Sequence, residues 1–173
     1  MVVFDTTFLI PLLDPRAPEP IQAARLKIRH LINELEKAKE VIAVPTPALS
    51  ELLTKAGAAG PEWIRILSSS ARFRIVAFET LAAVEAALMT EEAIAGGDKK
   101  SGLKDWGKVK FDRQIIAIAR VTGSRCIYSH DAHFKTLVGT GGPQVLDLDD
   151  LPLPPAGAQI DMDDIWKSGP DGE

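Results

Sequence analysis

At 173 residues, with 46% hydrophobic and 25% charged side chains and a formal charge of −4, the chain has the composition of one soluble globular domain with room for a sizeable core. A single cysteine, Cys126, excludes an internal disulfide and any Cys/His zinc spacing. The net charge does not mark a nucleic-acid binder, and the lack of a basic leader with a long apolar run predicts a cytoplasmic protein with no membrane span.

The first element is VVF (residues 2 to 4), a short apolar run that reads as a buried strand. A proline-rich loop, DPRAPEP (14 to 20), leads to an amphipathic helix over 21 to 40 with Leu31, Ile32 and Leu35 on its apolar side. VIAV (41 to 44) is a second buried strand; Thr46 is then expected to cap a helix, PALSELLTKAG, that Gly57 ends. A short helix follows over 61 to 70 with Pro61 in its first turn, then a third strand, FRIVAF (73 to 78). An Ala-rich helix over 80 to 95 is stopped by Gly96 and Gly97. A polar, Lys-rich segment runs to about residue 109, and FDRQIIAIARVTG (111 to 123) is the next helix. RCIYS (125 to 129) is a fourth strand, DAHFKTLV (131 to 138) a short helix, and PQVLDL a last strand.

Strands alternating with helices predict an α/β domain with a mostly parallel sheet covered on both faces, over residues 1–147. Sites in such sheets gather at the carboxyl ends of the strands. Residues 148–173 are acidic and proline-rich and read as a solvated tail, with a loose repeat of DLDDL (147 to 151) in DMDDI (161 to 165).

Four acids stand out. Asp5 ends the first strand and Asp131 follows the fourth, so parallel strands aim both from one end of the sheet. Each could equally cap the helix that follows. Asp112 falls inside the apolar arc of Phe111, Ile115, Ile118 and Ala119, either as a first-turn cap or as part of a site. Glu51 projects away from Leu49, Leu52, Leu53 and Ala56, and by pattern alone reads as a solvated glutamate. Carboxylates gathered at strand ends raise one another's pKa, and a divalent cation removes that conflict. Oxygen ligands favour Mg²⁺ or Mn²⁺, ions suited to phosphodiester displacement. His130 and His133 flank Asp131 and read as surface residues.

VVFDTTFL, PALSELL, VKFDRQIIAIA and YSHDAHF, in that order, resemble the motifs of PIN-domain nucleases, with the nearest likeness to VapC-type toxins of toxin–antitoxin pairs. The resemblance implies a three-layer α/β/α fold with a central, mostly parallel sheet. It implies that Asp5, Glu51, Asp112 and Asp131 hold Mg²⁺ or Mn²⁺ and carry catalysis, with Thr6 and Ser129 supporting them. It further implies cleavage of single-stranded RNA, a cognate antitoxin and a homodimer. The alternative is a non-catalytic PIN module that binds RNA or a protein partner. A phosphotransfer fold with Asp5 as nucleophile would want a second Asp two residues on, where Thr7 stands. Lys99, Lys100, Lys104, Lys108 and Lys110, with Trp106 among them and Arg113 following, are the candidate RNA-binding residues, through phosphate attraction and base stacking.

Overall fold

The computed structural model describes residues 1–14 and 19–155. The middle of the proline-rich loop and the second acidic repeat of the tail therefore lie outside the described residues.

Apolar runs of three or four residues form five short strands, all parallel: β1 (Val2–Phe4), β2 (Ile42–Pro45), β3 (Phe73–Val76), β4 (Cys126–Tyr128) and β5 (Gln144–Leu146). The order across the sheet is β3-β2-β1-β4-β5. β1 is the central strand, pairing Val3 with Ala43 on one side and with Ile127 on the other. Alternation along each strand sends side chains to opposite faces. Val2, Phe4, Ile42, Val44 and Tyr128 pack under α1 (Thr6–Leu13), α2 (Glu19–Lys37), α3 (Thr46–Ala56) and α4 (Gly60–Ser69). Val3, Ala43 and Ile127 pack under α5 (Thr80–Ala95), α6 (Trp106–Val121) and α7 (His133–Val138). The layers are α/β/α, and burial on both faces explains why the inner strands are apolar throughout.

The chain leaves β1 toward β2 and β3, then returns across the sheet to place β4 on the other side of β1. That reversal opens a crevice at the carboxyl ends of β1 and β4, where open parallel sheets bind ligands. Phe4, Phe8 and Tyr128 form an aromatic cluster beneath it, with ring centroids 5.4 to 5.6 Å apart and Phe4 edge-to-face with both others. Asp147, at the end of the domain, pairs with His130, and the residues that follow pack on the domain and are not fully solvated: Leu151 is buried and Lys27 donates to the Leu148 carbonyl.

Three local expectations change. Thr46 is the first residue of α3 and not its cap; its hydroxyl instead accepts from the Phe78 amide at 3.0 Å, tying the ends of β2 and β3 together. Phe111 is 49% exposed and does not share the core with Ile115 and Ile118. The third change is the largest. α6 begins at Trp106, five residues before the expected start, capped by Asp105 through the Gly107 and Lys108 amides. Lysine is a good helix former, so the polar composition of that stretch concealed the first five residues of the helix.

Candidate metal centre

Asp5 sits at the C-terminal end of the central strand, buried to 4% exposure. Its Oδ1 accepts from the Thr7 amide at 2.9 Å and the Thr7 hydroxyl at 2.6 Å, and so caps α1. Its Oδ2 accepts from the Ser129 hydroxyl at 2.7 Å, across the β1–β4 crevice. The Thr7 hydroxyl in turn accepts from the His130 amide, and Ser129 Oγ accepts from the Asp131 amide. Two hydroxyls thus lock the ends of the two strands and one carboxylate into a single unit. Burial pushes the Asp5 pKa up to about 6, and the Thr7 and Ser129 bonds only partly oppose it.

Because α6 starts early, Asp112 lies in its second turn, where no free backbone amide needs a cap. The carboxylate is 5% exposed, and its Oδ2 is buried with no hydrogen-bond partner. Burial raises its pKa to about 7; the charges of Asp131, Asp5 and Glu51 push the same way, and Lys108 opposes them. A buried acceptor left without a donor is costly and calls for an account.

Asp131 accepts from the His133 amide at 2.9 Å, turning the chain into α7, and pairs with the Lys108 ammonium. Burial opposes ionisation there, but Lys108 and the His133 amide outweigh it and hold the pKa below the usual carboxylate range. Glu51 is also below its ordinary range: burial opposes, and hydrogen bonds from Lys55 and Thr6 prevail. The Thr6 hydroxyl donates to Glu51 Oε2 at 2.9 Å, so Thr6 serves Glu51 and not the neighbouring Asp5.

Among the described residues, ligand atoms of Asp112, Asp131 and His133 all lie within 4.8 Å of one another. Asp5 and Glu51 stand beside this group and act on Asp112 through their charges. A buried oxygen without a hydrogen bond, three carboxylates that raise the pKa of Asp112 and a single imidazole fit a hard divalent cation such as Mg²⁺ or Mn²⁺. His133, read from the sequence as a surface residue, belongs to this group; its place two residues after Asp131, on the turn that Asp131 makes, was the available signal. Thr7 was likewise unassigned, although an Asp followed two residues later by Thr is the spacing of a side-chain turn.

The candidate RNA-binding residues divide. Lys108 lies among the acids. Lys104 lines the neighbouring cavity with His133 and Leu103, and the Lys100 ammonium bonds the Lys104 carbonyl. Trp106 faces the other way, into the groove between α5 and α6, with Lys99 Nζ 4.2 Å and Lys110 Nζ 5.8 Å from its ring centroid. Arg113 is only 3% exposed; its guanidinium bonds the Thr90 hydroxyl, the Lys99 carbonyl and the Ser101 hydroxyl. It fastens the 96–105 segment to the helices and is not free to grip a phosphate. Arg113→Ala should therefore lower stability by about 2 kcal/mol, a fall in melting temperature of roughly 4–8 °C, through lost packing and stranded acceptors. Thermal melting checks this, and an unchanged midpoint would show the guanidinium to be incidental.

A parallel sheet in the order 3-2-1-4-5, helices on both faces and an acidic crevice at the β1–β4 switch define a PIN-like fold. No protein-family model and no curated protein matches the sequence. Solved structures do match. VapBC2 from Rickettsia felis, bound to a DNA fragment from its promoter, superposes with a TM-score of 0.57 at 13% identity, covering 85% of this chain and 98% of that one. DNA-bound VapBC from Salmonella typhimurium gives 0.57 at 17%, covering 85% and 97%. VapC20 from Mycobacterium tuberculosis, described as a sarcin-ricin loop cleaving toxin, gives 0.55 at 18%, covering 84% and 98%. The chain has the PIN-domain fold of the VapC-type toxins.

Proposed function

We infer that this chain is a divalent-metal-dependent endoribonuclease that hydrolyses phosphodiester bonds of single-stranded RNA, and that it is the toxin of a type II toxin–antitoxin pair. The observation that carries the reading is Asp112: a mid-helix carboxylate, buried, with one oxygen that accepts no hydrogen bond and three other acids acting on it. Such an arrangement is expensive in a module that only binds, and it is what a metal centre requires.

In this reading Asp112 and Asp131, joined by Asp5, hold Mg²⁺ or Mn²⁺. When bound, the ion supplies Lewis-acid neutralisation of charge on the scissile phosphodiester. Glu51 stays ionised, and Thr6 and Lys55 fix its two oxygens, so it is placed to orient an attacking water. Ser129 and Thr7 hold Asp5 in one rotamer and set the geometry it presents. Lys104 and Lys108, beside the acids, attract the RNA backbone.

An antitoxin partner, a homodimer and a cytoplasmic site of action belong to the same reading. Leu81, Val84, Leu88 and Ile94 are exposed along α5 and supply an apolar face for a protein neighbour. Among the described residues no helix is long and apolar enough to cross a membrane.

The test is cleavage of a mixed single-stranded RNA pool by the full chain, with and without Mn²⁺, beside Asp5→Asn. Cleavage should require Mn²⁺ and fall at least about 100-fold in the variant, whose carboxamide keeps the cap and the fold. Metal-independent cleavage, or full activity in Asp5→Asn, would refute the assignment. RNA binding without any metal-dependent cleavage would favour the non-catalytic module.

A further inference from the structure

Lys108 lies one helical turn before Asp112 on α6, so the two side chains leave the same face. Its ammonium pairs with Asp131 and lies 3.9 Å from Asp112 Oδ2. These are two of the three residues whose ligand atoms converge within 4.8 Å. The ammonium therefore stands where a cation is most needed, between two carboxylates that would otherwise repel across a partly buried gap.

Lys108 is also a wall of two cavities, both lined by it and by Asp105. One, of about 460 Å³, lies toward Glu51 and Phe111; the other, of about 340 Å³, lies toward Leu103 and His133. An extended strand crossing from one to the other would pass over the ammonium. The Lys108 side chain is 42% exposed, so it borders solvent as well as the acids. Its flexible four-carbon stem and freely rotating donors let the charge move without moving the helix.

We propose that Lys108 is the exchangeable cation of this centre. Its ammonium holds Asp112 and Asp131 together until a divalent ion takes that position, and then turns into the groove to meet a substrate phosphate. The inference rests on the metal-dependent reading above and deepens it. An ammonium and a divalent ion cannot share so small a gap, because like charges a few ångströms apart repel strongly where water is scarce. Metal affinity is then set partly by the residue that must leave, and that residue brings its charge to the substrate only after the ion is in place.

Two measurements on the full chain test this. Calorimetric titration with Mn²⁺ should show at least about tenfold tighter binding by Lys108→Met than by wild type, the effect of removing one like charge from beside the ion. Lysine acetylation followed by mass spectrometry should show Lys108 in the wild type reacting severalfold faster after Mn²⁺ is added. Lys37, paired with Glu34 on another helix, should not change. Equal Mn²⁺ affinity in the two proteins, or a Lys108 reactivity indifferent to Mn²⁺, would overturn the inference and leave the metal reading standing. No Mn²⁺ binding by either protein would overturn the metal reading and this inference with it. The labelling measurement uses wild type alone, so it decides the matter even where Lys108→Met does not fold.

Discussion

Asp112→Asn is expected to abolish Mn²⁺-dependent RNA cleavage and, in the same protein, to raise the melting temperature without metal. The two effects share one cause. Asp112 is buried with an oxygen that accepts no hydrogen bond, and burial together with Asp131, Asp5 and Glu51 raises its pKa from an ordinary 3.8 to about 7. An ionised form there is a cost to the fold near neutral pH. At about 1.36 kcal/mol per pH unit that cost is at most about 4 kcal/mol, and solvent relaxation reduces it to about 2 kcal/mol. A neutral carboxamide of the same shape relieves it, so the midpoint should rise by roughly 4–8 °C in EDTA at pH 7.5. Cleavage should fall by at least about 100-fold, because an amide oxygen is a poor ligand for a hard cation. A residue retained for stability would behave the opposite way, and a midpoint lowered together with unimpaired cleavage would sink the metal-centre reading. Few other substitutions make so clean a separation, since most destabilise the fold.

Asp112 also shows where the sequence was legible and where it was not. The strands and the parallel α/β class follow from short apolar runs alternating with helical periods, and Asp5 and Asp131 stand out because they close such runs. What local pattern does not carry is which side of β1 each later strand takes. The return of the chain across the sheet, which puts Ser129 against Asp5, is a matter of tertiary packing. The weight of Asp112 was hidden by one misplaced boundary. A start at residue 111 makes it a first-turn acid with an ordinary capping explanation, whereas the Asp105 cap removes that explanation. Phe111 misled for a related reason: apolar periodicity assigned it to the core, but it lines the cavity beside Glu51. Arg113 and Trp106 read as nucleic-acid contacts by composition, yet Trp106 lines the groove beside α5 and Arg113 is taken up by α5 and the 96–105 segment, a tertiary pairing that no short motif encodes. Glu51 was bland by pattern, and only the position of α3 over the end of β1 gives it Thr6 as a partner.

The metal-free protein should become less stable as the pH rises from 5 to 7.5, and Mn²⁺ should reverse that loss. Asp5 and Asp112 have native pKa values raised to about 6 and about 7 from 3.8. A carboxyl with a raised native pKa contributes its full stability below the unfolded value and loses it as the pH climbs through the native one. His130, raised by its bond to Asp147, loses stability in the same direction. Glu51 and Asp131 have lowered native values, so their contributions are lost on acidification, mostly below pH 5. Over the window from 5 to 7.5 the two raised acids dominate, and the loss is roughly 2–4 kcal/mol, or about 5–10 °C in melting temperature. Most small proteins do not weaken so much on approaching neutrality from pH 5, so the trend is diagnostic. Saturating Mn²⁺ binds only the ionised, folded cluster, so its stabilisation should be small at pH 5 and grow to several degrees at pH 7.5. The measurement is a set of thermal melts across that range in EDTA and in Mn²⁺. Stability flat or rising with pH in EDTA would mean that Asp5 and Asp112 are not held buried as described. A Mn²⁺ effect equal at pH 5 and pH 7.5 would mean that the ion binds elsewhere.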